Sequence, residues 1–373
     1  MKQAGRDRWL VAAGVVVMVV ALVVVGRLQA GNLAQGDAGG SQPTTSTART
    51  DATPVASGLA VAGRVALPGP AAAVAVGEGT IWVLLEQGTL LRVDPDRHRV
   101  TGRLELEAPT GGMPAGPLAV GAGAVWVGTR GATLTVRVDP LRMRVTGRLG
   151  GRVAVVARGV VWSYCCRQGD DFVGFGRVDA RRLRPRPPLV VTDASGRRQP
   201  VGWLALGPDA VWTVAFGHQR LWRVPLEGGP ARPVVRVGDF LYGLAADAGL
   251  VWLLSGSDDP DRQRDSTVRL RRLDQRRGQV TATIPLPQLE VGAFRGPLGL
   301  APAVGAVWVA GPPAGGWQGG GILLRVDPAS GRVAGWLRDP LGFVPGVLAA
   351  GPRGVWVGTE APALLHVVAP GPR

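Results

Sequence analysis

His218 is the residue of this sequence best suited to general acid–base chemistry, because an imidazole titrates near neutral pH. Its candidate partners are the carboxylates of Asp170, Asp171 and Glu290. No short spacing brings any of them to the imidazole. An enzyme of the lyase or hydrolase kind, with His218 as the catalytic candidate beside a loop carboxylate, is therefore the alternative hypothesis and not the first one.

Cys165 and Cys166 are the only cysteines, and they are adjacent. Neighbouring Cα atoms lie about 3.8 Å apart across a trans peptide, below the usual disulfide range of about 4.4 to 6.8 Å, so a bond between them is strained. Two states are open. One is a vicinal disulfide, which would act as a rigid apolar contact or a redox-labile site, and the other is a pair of thiols.

Acidic residues cluster at 170–171 and again at 258–261. Clustered carboxylates bind a hard cation such as Ca²⁺ through their oxygens. The spacing fits no calcium loop, and Arg262 and Arg264 can neutralise the second cluster, so solvated loops are the favoured interpretation. We expect neither a metal nor a cofactor.

The elements that position these residues are indicated by a repeated pattern: an apolar step, a tight turn that usually carries glycine, and an apolar residue followed by tryptophan. The repeated tryptophans are Trp82, Trp126, Trp162, Trp212, Trp252, Trp308 and Trp356. Their average spacing matches the roughly 40 to 50 residues of a propeller blade. The sequence therefore predicts an all-β, seven-bladed β-propeller whose tryptophans pack between blades.

Each repeat predicts four strands: a, which ends at the glycine turn; b, which carries the tryptophan; c, which ends in Asp-Pro; and d. The seventh repeat ends at Arg373 without a strand d, whereas residues 61–67 precede the first strand a with the spacing of one. We expect this N-terminal strand to complete the last blade and to remove an open sheet edge. The propeller is then one domain over residues 59–373.

Function is expected on the face that carries the b–c and d–a connections, because these connections are long and irregular while the a–b turns are short. The non-repeat aromatics fall in the same connections, where rings either stack on a ligand or fill the loops' own small cores. The predicted ligand-binding residues are Tyr164, Asp170, Asp171, Phe172, Phe216, His218, Tyr242, Asp258, Asp259, Phe294, Trp317 and Phe343.

The N-terminal segment carries a membrane signal. Residues 10–26 are uncharged and apolar and follow Lys2, Arg6 and Arg8, which predicts a cytoplasmic tail at 1–9 and a transmembrane signal anchor at 10–26. A cleaved signal peptide is the alternative. Residues 27–58 have the composition of a flexible linker. The propeller is expected outside the cytoplasm, at the cell membrane, as a monomer.

Net charge is +15, and arginine supplies almost all of the positive charge. A composition bias explains this as well as a ligand does, so no nucleic-acid partner is predicted. The predicted c–d turns are rich in arginine, and their face either rests on an anionic membrane or wall polymer or is a solvated turn set. These turns carry Arg97, His98, Arg99, Arg142, Arg144, Arg181, Arg182, Arg184, Arg186, Arg276, Arg277 and Arg332.

The repeats, with Val-Trp-Val followed by Leu-x-Arg-Val-Asp-Pro, resemble those of the streptogramin (virginiamycin B) lyase and surface-layer propellers over essentially all of 59–373. The resemblance implies seven blades. The lyases pair histidine with glutamate near the axis, and here only His218 falls on the expected face. Lactonases of similar shape need asparagine ligands, and the propeller has none. We therefore expect a membrane-tethered binding or scaffolding module.

Overall fold

The computed structural model describes residues 55–106, 118–128, 134–151, 153–169, 171–215, 220–237, 240–247, 249–256, 267–291, 298–303, 305–314, 320–339 and 342–369. These residues form seven antiparallel sheets, in each of which consecutive strands are neighbours apart from strands contributed by the N-terminal segment. The architecture is a seven-bladed β-propeller, as the spacing of the tryptophans predicts.

The strands of each blade run in the order a to d, and their numbers follow the chain. Blade I contains β3 (Ala71–Gly77), β4 (Thr80–Leu85), β5 (Thr89–Asp94) and β6 (Arg99–Glu105), and blade II contains β7 (Leu118–Gly121), β8 (Ala124–Gly128), β9 (Leu134–Asp139) and β10 (Arg144–Gly150). Blade III contains β11 (Val153–Ala157), β12 (Val160–Gln168), β13 (Asp171–Asp179) and β14 (Pro185–Val190), and blade IV contains β15 (Trp203–Leu206), β16 (Ala210–Val214), β17 (Arg220–Pro225) and β18 (Arg232–Arg236).

Blade V contains β19 (Phe240–Asp247), β20 (Leu250–Gly256), β21 (Thr267–Asp274) and β22 (Gln279–Glu290). Blade VI contains β23 (Gly299–Ala303), β24 (Ala306–Gly311), β25 (Gly321–Asp327) and β26 (Arg332–Asp339), with β1 (Val55–Ser57) added outside β26. Blade VII contains β27 (Phe343–Gly351), β28 (Gly354–Thr359), β29 (Ala363–Val368) and β2 (Ala60–Ala66).

Two-residue turns join strands a and b in the first three blades. In blade I the turn is Glu78-Gly79, with φ of 53° and 71°. Positive φ at both positions is the signature of a type I′ turn, which matches the twist of a hairpin. Open space surrounds the position of a Cβ at Gly79, so the glycine is needed there for its backbone conformation rather than for room.

The repeated tryptophans are buried between blades, as expected. Each is at most 4% exposed. Trp82 of blade I shares a hydrophobic cluster with Val125 and Val127 of blade II, and Trp356 of blade VII shares one with Val83 of blade I. Burial of an aromatic ring of this size is worth several kcal/mol, so these contacts supply much of the cohesion between neighbouring sheets.

The N-terminal side of the described chain adds strands to the last two blades. β2 pairs with β29, with Val65 opposite Leu364 and Ala66 opposite Ala363. β1 pairs with β26, with Ser57 opposite Trp336. Residues 55–57 therefore form a strand, although the composition predicts that they belong to a linker.

Regular strand structure extends into two of the connections on the face where function is expected. The described residues of 163–176 form the end of β12 and the start of β13 and keep one antiparallel register up to Gln168 opposite Asp171. The segment 286–297 starts as the last part of β22, which runs to Glu290. Glu290 at the end of that strand lies opposite Thr267, and Leu289 forms a bridge with Pro313.

Candidate functional site

The b–c connection of blade III is a hairpin formed by nine-residue strands β12 and β13. Its turn contains Gly169, whose φ of 63° suits a residue without a side chain. We call the described residues of 164–172 the hairpin tip. Because b–c and d–a connections lie on one face of a propeller, the tip belongs to the face on which function is expected.

Cys165 and Cys166 are joined by a disulfide bond in the hairpin tip, with a Cα–Cα distance of 3.8 Å. Cys166 has a φ of 62°, a left-handed conformation that is uncommon for a residue with a Cβ. In the register of the hairpin, Cys165 lies opposite Gly174 and Arg167 lies opposite Phe172. Of the two states left open by the sequence, the structure therefore has the vicinal disulfide.

Aromatic rings flank the disulfide. The ring of Tyr164 lies 5.9 Å from those of Phe172 and Phe175. Phe175 is fully buried, whereas Tyr164 and Phe172 are half-buried. The guanidinium of Arg167 lies 5.2 Å from the centroid of the Phe172 ring, within the range of a cation–π interaction. The tip thus has two partly exposed aromatic rings, and the buried ring of Phe175 supports them from below the surface.

Charged side chains complete the tip. Arg167 and Asp171 are both exposed and lie near the turn of the hairpin. A surface that offers ring faces beside a cation and a carboxylate can bind a ligand through stacking, hydrogen bonds and charge together. These are the properties of a recognition site for an amphipathic ligand such as a sugar or a peptide.

The d–a connection that follows blade III packs beside the hairpin. Val201 donates its backbone N–H to the carbonyl oxygen of Phe172 across 2.7 Å. Asp193 organises this connection: its carboxylate accepts hydrogen bonds from the hydroxyl and backbone N–H of Ser195, the N–H of Arg197 and the amide of Gln199. The hydrogen bond from the Ser195 hydroxyl is the main cause that lowers the pKa of Asp193. Sequence reasoning missed this residue, although Asp-Ala-Ser-Gly at 193–196 is a turn signal.

The structure places Tyr242 and Phe343 in the hydrophobic core, at 1% and 2% exposure. Tyr242 lies against Phe240, with ring centroids 5.1 Å apart, and Phe343 packs over Gly321. Both rings fill the space at the start of a strand a, so we leave them out of the candidate site. The remaining predicted site residues lie outside the described residues: Asp170, Phe216, His218, Asp258, Asp259, Phe294 and Trp317.

The described residues include only part of the acid–base alternative. His218 lies outside them, and Glu290 ends strand β22 of blade V. Within the described ranges, no group of three or more His, Cys, Asp or Glu side chains has the arrangement of a metal site.

The opposite face carries the c–d turns. In several blades, an aspartate at the start of this turn accepts hydrogen bonds from two backbone N–H groups of the turn. In blade III the Asp179 carboxylate accepts the backbone N–H groups of Arg181 and Arg182 and forms an ion pair with Arg186 at 2.8 Å. The bond from the Arg182 N–H, followed by that from the Arg186 side chain, lowers the pKa of Asp179 to about 2. Asp94, Asp139, Asp274 and Asp327 accept the equivalent pair of backbone bonds.

The arginines of these turns are exposed, as expected for a basic face. Arg97, Arg142 and Arg186 pair with the aspartate of their own turn, which offsets part of that charge. Arg181, Arg182, Arg276 and Arg277 lie exposed on the turns of blades III and V. The basic character of this face therefore rests on the arginines that the turn aspartates do not pair.

No protein-family model matches this chain, and a search of curated proteins finds no match to it either. Among the described residues, no helix combines the length and apolarity required to cross a bilayer, and the predicted span at 10–26 lies outside those residues. What is established is the class of architecture, a seven-bladed β-propeller built from repeated four-stranded units.

Proposed function

We propose that this chain is a membrane-tethered, extracytoplasmic propeller that binds a ligand or partner on the face of its b–c and d–a connections. The observation that carries the proposal is the blade III hairpin tip. A vicinal disulfide, two half-buried aromatic rings and two exposed charges meet there, on a hairpin that the rest of the blade holds in place. Function on loops over a rigid scaffold is the common arrangement in such folds.

The chemistry of the tip favours a ligand with an apolar face and polar groups. Tyr164 and Phe172 offer ring surface, Arg167 binds carboxylate or phosphate oxygens, and Asp171 accepts hydrogen bonds from hydroxyl or amide groups. Cell-wall sugars and peptide side chains both fit this description. The disulfide fixes the backbone of the tip, so less conformational entropy is lost when a ligand binds.

The tether rests on the N-terminal sequence. Residues 10–26 anchor the chain in the membrane in this proposal, and residues 27–54 span the distance to the first strand. The chain then pairs with blade VI through β1 and with blade VII through β2, so the tether enters the propeller through paired strands. The resemblance of the repeats to streptogramin lyase and surface-layer propellers supports the seven-bladed architecture. It assigns no activity to this chain.

The arginine-rich c–d face is the membrane-facing side in this proposal. Its exposed arginines would each contribute about 1 kcal/mol of attraction to an anionic surface when they lie close to it. The hairpin tip would then point away from the membrane, towards soluble ligands or the cell wall. This orientation follows because c–d turns and b–c connections lie on opposite faces of every blade.

Two experiments test the proposal. Fractionation and protease digestion of intact cells should find the full chain in membranes and its propeller accessible from outside; a soluble or protected chain overturns the tether. Thermal denaturation of the purified full chain against wall sugars, cyclic peptides, lactones and Ca²⁺ should give a saturable rise in Tm for one class. The rise should disappear in the Arg167→Ala/Phe172→Ala variant and persist in the Leu141→Ala variant, whose side chain is 84% exposed on the opposite face.

A further inference from the structure

Six blades share a cross-strand pair that the seventh lacks. The tryptophan of strand b lies opposite an arginine of strand c in each of them: Trp82 with Arg92, Trp126 with Arg137, Trp162 with Arg177, Trp212 with Arg223, Trp252 with Arg272 and Trp308 with Arg325. In blade VII, Trp356 lies opposite His366. A permanently charged side chain is thus replaced by a titratable one at a single junction of the ring.

Three of the arginines join their blade to the next. Arg92 donates to the carbonyl of Pro140 across 3.1 Å, and Arg177 donates to the carbonyl of Leu226 across 3.3 Å. Arg272 donates in the same way to the carbonyl of Pro328. Every acceptor lies in the c–d turn of the following blade. A guanidinium offers hydrogen-bond donors only, whereas an imidazole nitrogen can donate or accept.

At the junction of blades VII and I, two histidines take the place of this contact. His366 Nδ1 lies 3.0 Å from Nε2 of His98, which belongs to the c–d turn of blade I. The indole of Trp356 stacks on the His366 ring, with centroids 4.4 Å apart and planes inclined by 2°. His366 is 6% exposed, and its Nε2 lies 3.2 Å from the carbonyl of Arg353.

The His98 ring also covers strand β2. A Cβ on Gly63 would collide with this ring, and Gly63 lies opposite His366 in the strand register. The equivalent cover at the next two junctions is apolar: Met143 lies over Gly102 of β6, and Leu183 lies over Gly147 of β10. At this junction a histidine therefore stands at the strand-c position, His366, and another at the covering position, His98. Both touch the strand that the N-terminal segment contributes.

The donors and acceptors of the two rings determine how many protons the pair can accept before the hydrogen bond between them is lost. His366 Nε2 faces a carbonyl and donates, so its neutral ring accepts through Nδ1 from His98 Nε2. One added proton leaves a donor and an acceptor between the rings, because His98 can carry its hydrogen on Nδ1. Two added protons put two N–H groups against each other, and the contact is lost.

The surroundings oppose the doubly protonated state. Arg64 lies on β2 and Arg353 in the a–b turn of blade VII. The c–d turn of blade I and the strand ends beside it carry Asp94, Asp96, Arg97 and Arg99, and β6 also carries Arg103 and Glu105. Asp94 pairs with Arg97, and Asp96 pairs with Arg353. Burial lowers the pKa of His366, with smaller contributions in the same direction from His98 and Arg353 and an opposing one from the Arg353 carbonyl.

The sign of the pH effect follows from this direction. An unfolded histidine titrates near pH 6.5, and His366 in the fold takes up its proton only at lower pH. The unfolded state therefore binds more protons in that window, so stability falls as the pH falls from about 6.5 towards the lower pKa of the folded residue. Above the window the contribution of the neutral pair is fully present.

We propose that His98 and His366 form a proton-sensitive latch that holds strand β2 in blade VII, and that mild acid opens the ring at this junction. The latch would couple external pH to the tethered strand, since β2 is the propeller strand nearest to the N-terminal segment after β1. Release of β2 exposes one edge of β29. The proposal is independent of any ligand at the hairpin tip.

Hydrogen exchange of the full chain, followed by mass spectrometry, tests the latch. Peptides that cover 58–67 should lose protection by about tenfold or more between about pH 7.5 and about pH 5, after correction for the intrinsic effect of pH on exchange. Peptides that cover β6 serve as the internal control, because Met143 covers that strand, and they should show no such loss. Equal changes in both strands, or no change in 58–67, overturn the proposal.

A variant and a wild-type measurement make the test specific. In His98→Asn/His366→Gln, neutral side chains replace both rings and asparagine suits the left-handed φ of 49° at position 98. Protection of 58–67 in this variant should not depend on pH; an unchanged pH dependence overturns the proposal. In the wild type, C2–H exchange of the imidazoles gives their midpoints, and release of β2 must share its midpoint with one of them. A release midpoint away from both also overturns it.

Discussion

Val201 donates its backbone N–H to the carbonyl oxygen of Phe172, and this 2.7 Å bond ties the connection between blades III and IV to the hairpin tip. The two segments meet although the whole of strand β14 lies between them in the sequence. The tip is therefore supported from the side by a second ordered loop. Such support is what a preorganised binding site requires.

Asp193→Ala should loosen the loop that supports the tip. The carboxylate accepts bonds from Ser195, Arg197 and Gln199, and alanine removes this shared acceptor. We expect faster hydrogen exchange over 193–201 and at the Val201 amide, with the exchange of blade I unchanged. Asp193→Asn, which keeps one accepting oxygen, is the matched control and should lie between the two. Unaltered exchange over 193–201 in the alanine variant would contradict the role of Asp193.

Trp212→Ala should be strongly destabilising. The indole is fully buried and shares a cluster with Val251 and Leu253 of the next blade, so its removal leaves a large cavity between two sheets. Substitutions of this type cost about 3 to 5 kcal/mol in free energy of unfolding. Urea denaturation measures the loss, and Leu141→Ala at an 84% exposed position should change stability by no more than about 0.5 kcal/mol. Similar midpoints for both variants would refute the packing argument.

Acid sensitivity should decrease in Asp179→Asn. The pKa of Asp179 is about 2 in the fold, against about 3.9 in an unfolded chain. The unfolded state binds more protons between these values, so the contribution of Asp179 is present above about pH 4 and is lost as the pH falls towards about 2. Tm measured against pH should fall less steeply in the variant over this range. Parallel profiles for the two proteins would show that the carboxylate does not titrate as described.

The basic face should bind anionic lipid. Reversal of Arg181, Arg182, Arg276 and Arg277 to glutamate should weaken binding of the chain to vesicles that contain anionic lipid by about a hundredfold or more, measured with the N-terminal 54 residues removed. The control reverses Arg167, Arg197, Arg198 and Arg220, which changes the net charge equally on the opposite side. Equal losses in the two variants would mean that net charge alone governs binding. No loss in the first would show that this face does not contact the membrane.

The repeat pattern predicts the fold because each blade needs the same few features. A tryptophan that packs on the next sheet, a turn with positive φ and an Asp that binds its own turn recur at similar spacing, as at Trp82, Gly79 and Asp94. Local chemistry determines each of these. The sequence therefore suffices for the architecture and for the assignment of connections to faces.

The details of the site depend on long-range contacts that no local pattern encodes. Tyr242 and Phe343, like Tyr164 and Phe172, are aromatic residues assigned from the sequence to b–c or d–a connections. Neighbouring blades nevertheless bury Tyr242 and Phe343. The two histidines of the latch are separated by 268 positions and meet only because blade VII packs against blade I. A register comparison does carry a signal for them, since His366 occupies the position that arginine holds in the other six blades.

Site-specific photo-crosslinking in intact cells is the decisive test of a binding function for the face of the hairpin tip. A photoreactive amino acid at position 167 of the full chain lies on the tip, and one at position 141 lies on the opposite face and is the control. A binding function predicts one saturable adduct from position 167, absent from position 141 and lost when excess unlabelled chain competes. No adduct from position 167, or the same adducts from both positions, would contradict a binding function for this face.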